Sequence, residues 1–280
     1  TWSLFTPRFF MMHDFTHVAR IVEMHTALQE GQFPVRWSAN LGYGYGMPLF
    51  QFYAPLPYYI GALLYGLGFS GVLVVKLLII ISSIVTIWGA YNLGSEIFNQ
   101  EAGLVAAASI GLAPYRAVNI FVRGALSEAW GIMALPLILY GIIRICKGKR
   151  NGYIFLYFSL LILLLSHNLT TLLFLPMSVI FGASYLLIQQ YSHERRSLQS
   201  IIYIVLKLAA TYMTALTTAS FYLLPAFLEK QFTRVESAIL GGYFDYRLHF
   251  LYIRQFFQEN WQYGGSSWGP HDDISFYLGF

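Results

Sequence analysis

The sequence predicts an all-α, polytopic transmembrane helical bundle with a large first extracytoplasmic loop that contains an interfacial helix. Three observations predict it. Hydrophobic residues make up 57% of the chain and charged residues 11%, whereas a soluble domain carries about 25% charged residues. Several apolar runs approach the roughly 20 residues that a helix needs to cross the hydrocarbon core. Basic residues gather in short loops between those runs, the arrangement that sets orientation in membranes.

The same composition excludes other classes. The net charge of +4 is modest and spread among loops and helix ends, so there is no basic footprint for nucleic acid. The single cysteine, Cys146, rules out an intramolecular disulfide framework and a cysteine-rich zinc site. Aromatic residues at 18% suit the belts that mark membrane interfaces. The chain starts at Thr1 and ends in an apolar run at Phe280, so it reads as a fragment of a longer protein. It has no internal repeat.

The elements follow in order. Residues 1–52 are polar enough to form a loop, with a helix-like stretch at Asp14–Glu30. Residues 54–68 are apolar but short, and Pro55, Pro57, Gly61, Gly66 and Gly68 flank or interrupt them, which favours a re-entrant or interfacial insertion over a crossing. Residues 71–93 are a span with Lys76 as the only charge. Residues 102–115 form a shorter run ending at Pro114. Residues 128–146 are a span between Glu128 and Arg144. Residues 152–190 are about twice the length of one span and break at Ser166-His167-Asn168, so they read as a helical hairpin. Residues 201–227 are a span containing Lys207.

Arg144, Lys147, Lys149 and Arg150 surround one loop, and His193, Glu194, Arg195 and Arg196 occupy another. Both are cytoplasmic by the positive-inside rule. Counting from them puts Glu128, His167 and the segment after Phe227 outside. The expected organisation is one transmembrane domain over 1–280, with 1–52 as the first outer loop, 54–227 as the membrane helices and 228–280 as an outer loop.

The residues able to do chemistry collect in the outer segments. His13-Asp14-Phe15-Thr16-His17-Val18-Ala19-Arg20, if helical, puts His13 and His17, and Asp14 and His17, on one face. A carboxylate there can serve as a general base or hold a divalent cation, and Arg20 can grip a phosphate. The competing reading is an amphipathic interfacial helix with Asp14 near its N-terminus. His13 and His17 have zincin spacing, but Asp14 stands where glutamate is required and no third ligand is evident. Pro114-Tyr115-Arg116, Arg123-Gly124 and Glu128 form either an anion site with a second carboxylate or an interfacial anchor. Ser166-His167-Asn168-Leu169-Thr170 is either a site or a polar turn satisfying its own groups. The glycine–aromatic loops at 31–46 and 261–270 suit carbohydrate faces and membrane interfaces equally. Asp272 and Asp273 follow the second.

Together these motifs resemble a family. His-Asp-x-x-His-x-x-Arg from His13, Gly-x-x-Pro-x-Arg-Trp from Gly31 and Tyr-x-Pro-x-Pro-Tyr-Tyr from Tyr53 look like the bacterial membrane proteins called 6-pyruvoyl-tetrahydropterin synthase-related. Pro114-Tyr115-Arg116, Arg123-Gly124-Ala125-Leu126-Ser127-Glu128 and Ser166-His167-Asn168 extend the likeness over nearly the whole chain. The pterin name does not describe its chemistry. A soluble pterin synthase needs a histidine metal set on a small α+β fold, and this sequence offers neither. More distantly the layout is similar to the GT-C glycosyltransferases. That resemblance implies a GT-C-like bundle in the bacterial plasma membrane and a polyprenyl-phosphate-linked sugar as donor. It also implies catalytic carboxylates at Asp14 and Glu128, and substrate contacts from His13, His17, Arg20, Arg116, Arg123 and His167. It leaves room for a divalent cation, Mg or Mn, on Asp14 and Glu128. The first loop departs from the GT-C pattern in carrying one acid where many of those enzymes carry a pair. Two other functions compete: a transporter or flippase for a lipid-linked saccharide, which needs ionisable residues lining a path at mid-membrane, and a non-catalytic membrane scaffold.

Overall fold

The computed structural model describes residues 2–192, 197–234, 245–258 and 276–277. The basic group His193–Arg196, the aromatic run 261–270 and the acids Asp272 and Asp273 lie outside the described residues.

The described chain is helical. A 3-10 turn at Trp2–Phe5 precedes α1 (His17–Gln29), α2 (Leu49–Phe52), α3 (Leu56–Gly66), α4 (Gly71–Ile97), α5 (Gln100–Leu112) and α6 (Pro114–Ala117). A π-helical turn at Val118–Arg123 leads into α7 (Leu126–Cys146), then α8 (Gly152–Ser166), α9 (Asn168–Ser192) and α10 (Leu198–Glu229). Among the described residues the β-type pairing is one isolated bridge between Ser38 and Met47. Four helices, α4, α7, α9 and α10, are long and apolar enough to cross a membrane. A fifth span is formed if α5 and the 114–123 segment, bent by 44° relative to each other, count as one.

Local chemistry sets these boundaries. The Ser70 and Asn99 side chains accept from the amides of Leu73 and Ala102 and cap α4 and α5, satisfying N–H groups that a helix start leaves open. The α3 helix has 11 residues, which at about 1.5 Å each cover roughly half of the ~30 Å hydrocarbon core. It lies against α1 and α4.

The α7 helix is the axis of the bundle: 78% of its most apolar window is buried, against 11% for α9 and 17% for α10. The α4 and α8 helices pack closely along it. Gly141 faces the backbone of Leu156, and Gly131 faces His167, where an added Cβ would sit 3.0 Å from the histidine Cβ. Thus α8, although only 15 residues long, runs antiparallel to α7 from the level of Ile145 to that of Gly131.

Charges mark the two ends. At one end Glu96, closing α4, takes Arg144, Lys147 and Lys149 at 3.2, 3.1 and 2.7 Å. At the other, Gln51 donates to Glu229 at 2.9 Å, and the Asn168 amide donates to the Phe52 carbonyl at 2.9 Å. The Tyr222 hydroxyl sits 3.0 Å from that same carbonyl and 2.9 Å from Asn168 Oδ1. The first loop therefore docks beside the α8–α9 turn and the end of α10, away from the basic loop.

Two lysines inside predicted spans are accounted for. Lys76 is 2% exposed, and its ammonium donates to the carbonyls of Ser3, Thr6 and Arg8 at 2.8, 2.5 and 2.7 Å. It fastens the N-terminal segment to α4. Lys207 is on the exposed face of α10, over the Tyr203 ring at 4.3 Å.

Candidate functional site

The helix in the first loop begins at His17, three residues later than the Asp14 start that sequence spacing suggests. His13 and Asp14 are not on its face. Instead their amides donate to the carbonyls of Val122 and Arg123 at 2.8 and 2.9 Å. Pairing with a distant strip of backbone outweighs the local helical pattern, and the His13/His17 pairing is not formed. His13 is exposed.

Gly124 makes this contact possible. Its φ of +66° is in the left-handed region that favours glycine. A Cβ there would meet Met12 Sδ at 2.6 Å and the Asp14 carbonyl at 3.0 Å. His17, fully buried, places Nε2 2.5 Å from the Gly124 carbonyl and Nδ1 3.0 Å from the Tyr58 hydroxyl. A carbonyl only accepts, so Nε2 carries the proton; in the neutral ring Nδ1 then accepts from Tyr58. Arg20 donates to Tyr58 at 3.2 Å, to Tyr53 at 3.3 Å and to Asp14 Oδ2 at 2.8 Å. The other Asp14 oxygen accepts from Thr16 at 2.8 Å.

Burial pushes the Asp14 carboxyl up, but His17, Arg20 and the hydrogen bonds from Thr16 and Arg20 outweigh it and hold the group below its ordinary value. Burial pushes the His17 imidazole down, against the opposing pull of Asp14 and the Gly124 carbonyl. At neutral pH the cluster thus holds one anion, one guanidinium and a neutral imidazole.

A second cluster continues from the same strip. Arg123 Nη1 donates to Glu128 Oε2 at 2.7 Å, to Asn119 at 2.8 Å and to Tyr115 at 2.9 Å. The Tyr115 hydroxyl donates to the remaining Glu128 oxygen at 2.8 Å. Glu128 lies in the first turn of α7, where a negative charge is favoured by the helix dipole. His167 lies within electrostatic reach of Glu128 and Arg123. Its Nδ1 accepts from the Thr170 amide at 3.3 Å and from the Thr170 hydroxyl at 2.7 Å, so it caps α9. Gly131, one turn after Glu128, leaves the room that brings it there.

Asp14, His17 and Arg20 thus form one cluster, and Arg123, Glu128 and His167 a second. The backbone at 122–124 joins them. Arg116 is half-buried, and its guanidinium makes no hydrogen bond or ion pair with the described residues, while its amide donates to the Ala113 carbonyl at 3.0 Å. Tyr53, Tyr58 and Asn119, which are not among the site residues expected from sequence, complete the clusters together with Tyr115 of the Pro114-Tyr115-Arg116 motif. Tyr53 and Tyr58 lie in the Tyr-x-Pro-x-Pro-Tyr-Tyr motif, the available signal for them, but a hydroxyl's partner is not legible in a motif.

The donor set does not fit a divalent cation on Asp14 and Glu128. All four carboxylate oxygens already accept hydrogen bonds, and each acid faces a guanidinium. Among the described residues no group of three His, Cys, Asp or Glu side chains converges.

Compared with known proteins, the family model of the 6-pyruvoyl-tetrahydropterin synthase related domain, a membrane protein, matches residues 50–263. No curated protein and no solved structure matches the chain. The matched region holds α3 to α10 with the Arg123–Glu128 cluster and His167, more than half of the sequence, and so the chain belongs to the 6-pyruvoyl-tetrahydropterin synthase-related family of membrane proteins.

Proposed function

We propose that this chain is a GT-C-like membrane glycosyltransferase that takes its sugar from a polyprenyl-phosphate donor at the outer face. One observation carries the reading: two carboxylate–arginine clusters meet on the backbone at 122–124, at the bundle end opposite the basic loop. By the positive-inside rule the basic loop at 144–150 is cytoplasmic, which puts the clusters outside, as part of one multi-pass protein of the bacterial plasma membrane.

In this reaction the acceptor oxygen bonds to the anomeric carbon, the carbon–oxygen bond to the lipid phosphate breaks, and the acceptor proton passes to Asp14. The depressed pKa keeps Asp14 ionised, as a base must be, at some loss of basicity. Arg123 makes its three bonds through one terminal nitrogen, leaving other N–H groups for the departing phosphate. Arg116 supplies a second guanidinium with no described partner. Neutral His17 holds the strip in place, and His167 shapes the field around Glu128. The transporter reading lacks support from Lys76, whose donors are satisfied by carbonyls, and from Lys207, which faces outward.

The test is sugar transfer from polyprenyl-phosphate donors by protein in liposomes. Asp14→Asn is expected to lower kcat by about 100- to 10,000-fold, the usual worth of a positioned base, with donor binding less affected. Arg123→Ala is expected to lose both. Arg20→Gln removes the ion pair but leaves the carboxylate. If it matches Asp14→Asn, Asp14 acts by structure and not as a base. Wild-type protein inert with every donor class overturns the proposal.

A further inference from the structure

The bundle carries a second, unrelated feature at its basic end. Between α4, α5 and α7 runs an apolar groove of about 730 Å³, lined by Ala90, Leu93, Gly94, Ala106, Ser109 and Leu139 among others. Its floor is made by close approach of two backbones. A Cβ on Gly94 would lie 2.8 Å from the Ala102 carbonyl, and one on Gly103 would lie 2.7 Å from that of Tyr91. Along α4 the groove extends from Ala90 to Ile97, about 10 Å at 1.5 Å per residue, or some two-thirds of one ~15 Å leaflet of hydrocarbon.

The groove ends at a positive cluster. Glu96, adjacent to the lining residue Ile97, is shared by Arg144, Lys147 and Lys149. Lys147 also donates to the Glu96 carbonyl, and Asn151 accepts from Arg144. The Lys147 and Lys149 side chains keep 30% and 44% exposure, and Arg150 beside them is exposed. Among the described residues Glu101, in the first turn of α5, is the other acid at this end. There, two described acids stand against the four described cations, an excess of two positive charges.

From this juxtaposition we infer that the groove and its rim bind one anionic phospholipid, with an acyl chain in the groove and the headgroup phosphate against Lys147, Lys149 and Arg150. An apolar cleft alone does not choose its occupant, but its charged end does. Basic residues beside a span attract anionic headgroups, which the cytoplasmic leaflet carries. The inference does not depend on the glycosyl-transfer reading.

The experiment compares spin-labelled phosphatidylglycerol with spin-labelled phosphatidylcholine, as probes for the whole protein in phosphatidylcholine vesicles. Wild type is expected to immobilise phosphatidylglycerol preferentially. Lys149→Gln with Arg150→Gln, both at exposed positions, should lower that preference by roughly fivefold for each charge removed, the usual worth of a basic residue at a charged surface. Ser109→Trp fills the groove from an exposed position and should reduce immobilised lipid of both kinds. No preference in wild type, or a preference that survives loss of both charges, overturns the inference. An immobilised fraction unchanged by Ser109→Trp also overturns it and points to another helix as the occupant.

Discussion

Replacing Gly124 by alanine tests the contact that joins the two clusters. At φ +66° an alanine is strained by about 1–2 kcal/mol. Its Cβ would also press Met12 Sδ at 2.6 Å and the Asp14 carbonyl at 3.0 Å. The methionine end can move, but the carbonyl belongs to backbone held by the amide bonds of residues 13 and 14. Shifting the strip withdraws the Gly124 carbonyl from His17 Nε2, and a buried donor without an acceptor costs about 1–3 kcal/mol. The expected loss is therefore about 2–5 kcal/mol, on the order of 10 °C in Tm. Gly148 is the control. Its φ is +71° and nothing lies within 4 Å of an added Cβ, so Gly148→Ala should show the strain alone. The assay is thermal unfolding in detergent, read by a thiol-reactive dye at Cys146, which is buried in the native bundle. If Gly124→Ala unfolds at the same temperature as Gly148→Ala, the close approach of the two strips contributes nothing and the reasoning fails.

Acid should loosen the same region. The His17 pKa is depressed below 6.5, so the unfolded state takes up a proton first, and stability starts to fall as pH drops below that value. Asp14, depressed below 3.8, contributes stability that is present above that pH and is lost as pH falls through its folded value. Dye access to Cys146 on heating should therefore come at lower temperature from about pH 6.5 downward, and His17→Gln should flatten the upper part of that slope; a wild-type profile level from pH 7 to 5 contradicts the assignment of a buried neutral His17. Orientation is read from Ala39→Cys, exposed in the first loop: an impermeant thiol reagent should label it from outside in intact cells, and labelling only after the membrane is opened reverses the topology.

The sequence by itself determined where the helices lie, because transfer into hydrocarbon depends on local composition. The span expected at 71–93 is α4, the one at 128–146 is α7, and the hairpin over 152–190 breaks at His167. Composition also put Arg123, Glu128 and His167 next to span ends. Only the tertiary structure decided what these residues meet. Spacing put His13 and Asp14 on a helix face, yet backbone pairing with 122–123 holds both outside α1. Hydropathy marks Lys76 as the only charge of its span, and three carbonyls from the chain's first residues surround it. Arg123 found Glu128 with Tyr115 between them, while Arg116, seven residues earlier, met no such partner among the described residues. Hydropathy is summed along the chain and survives in one dimension. A hydrogen bond or an ion pair depends on distance and angle between residues far apart in sequence, and periodicity carries no record of either.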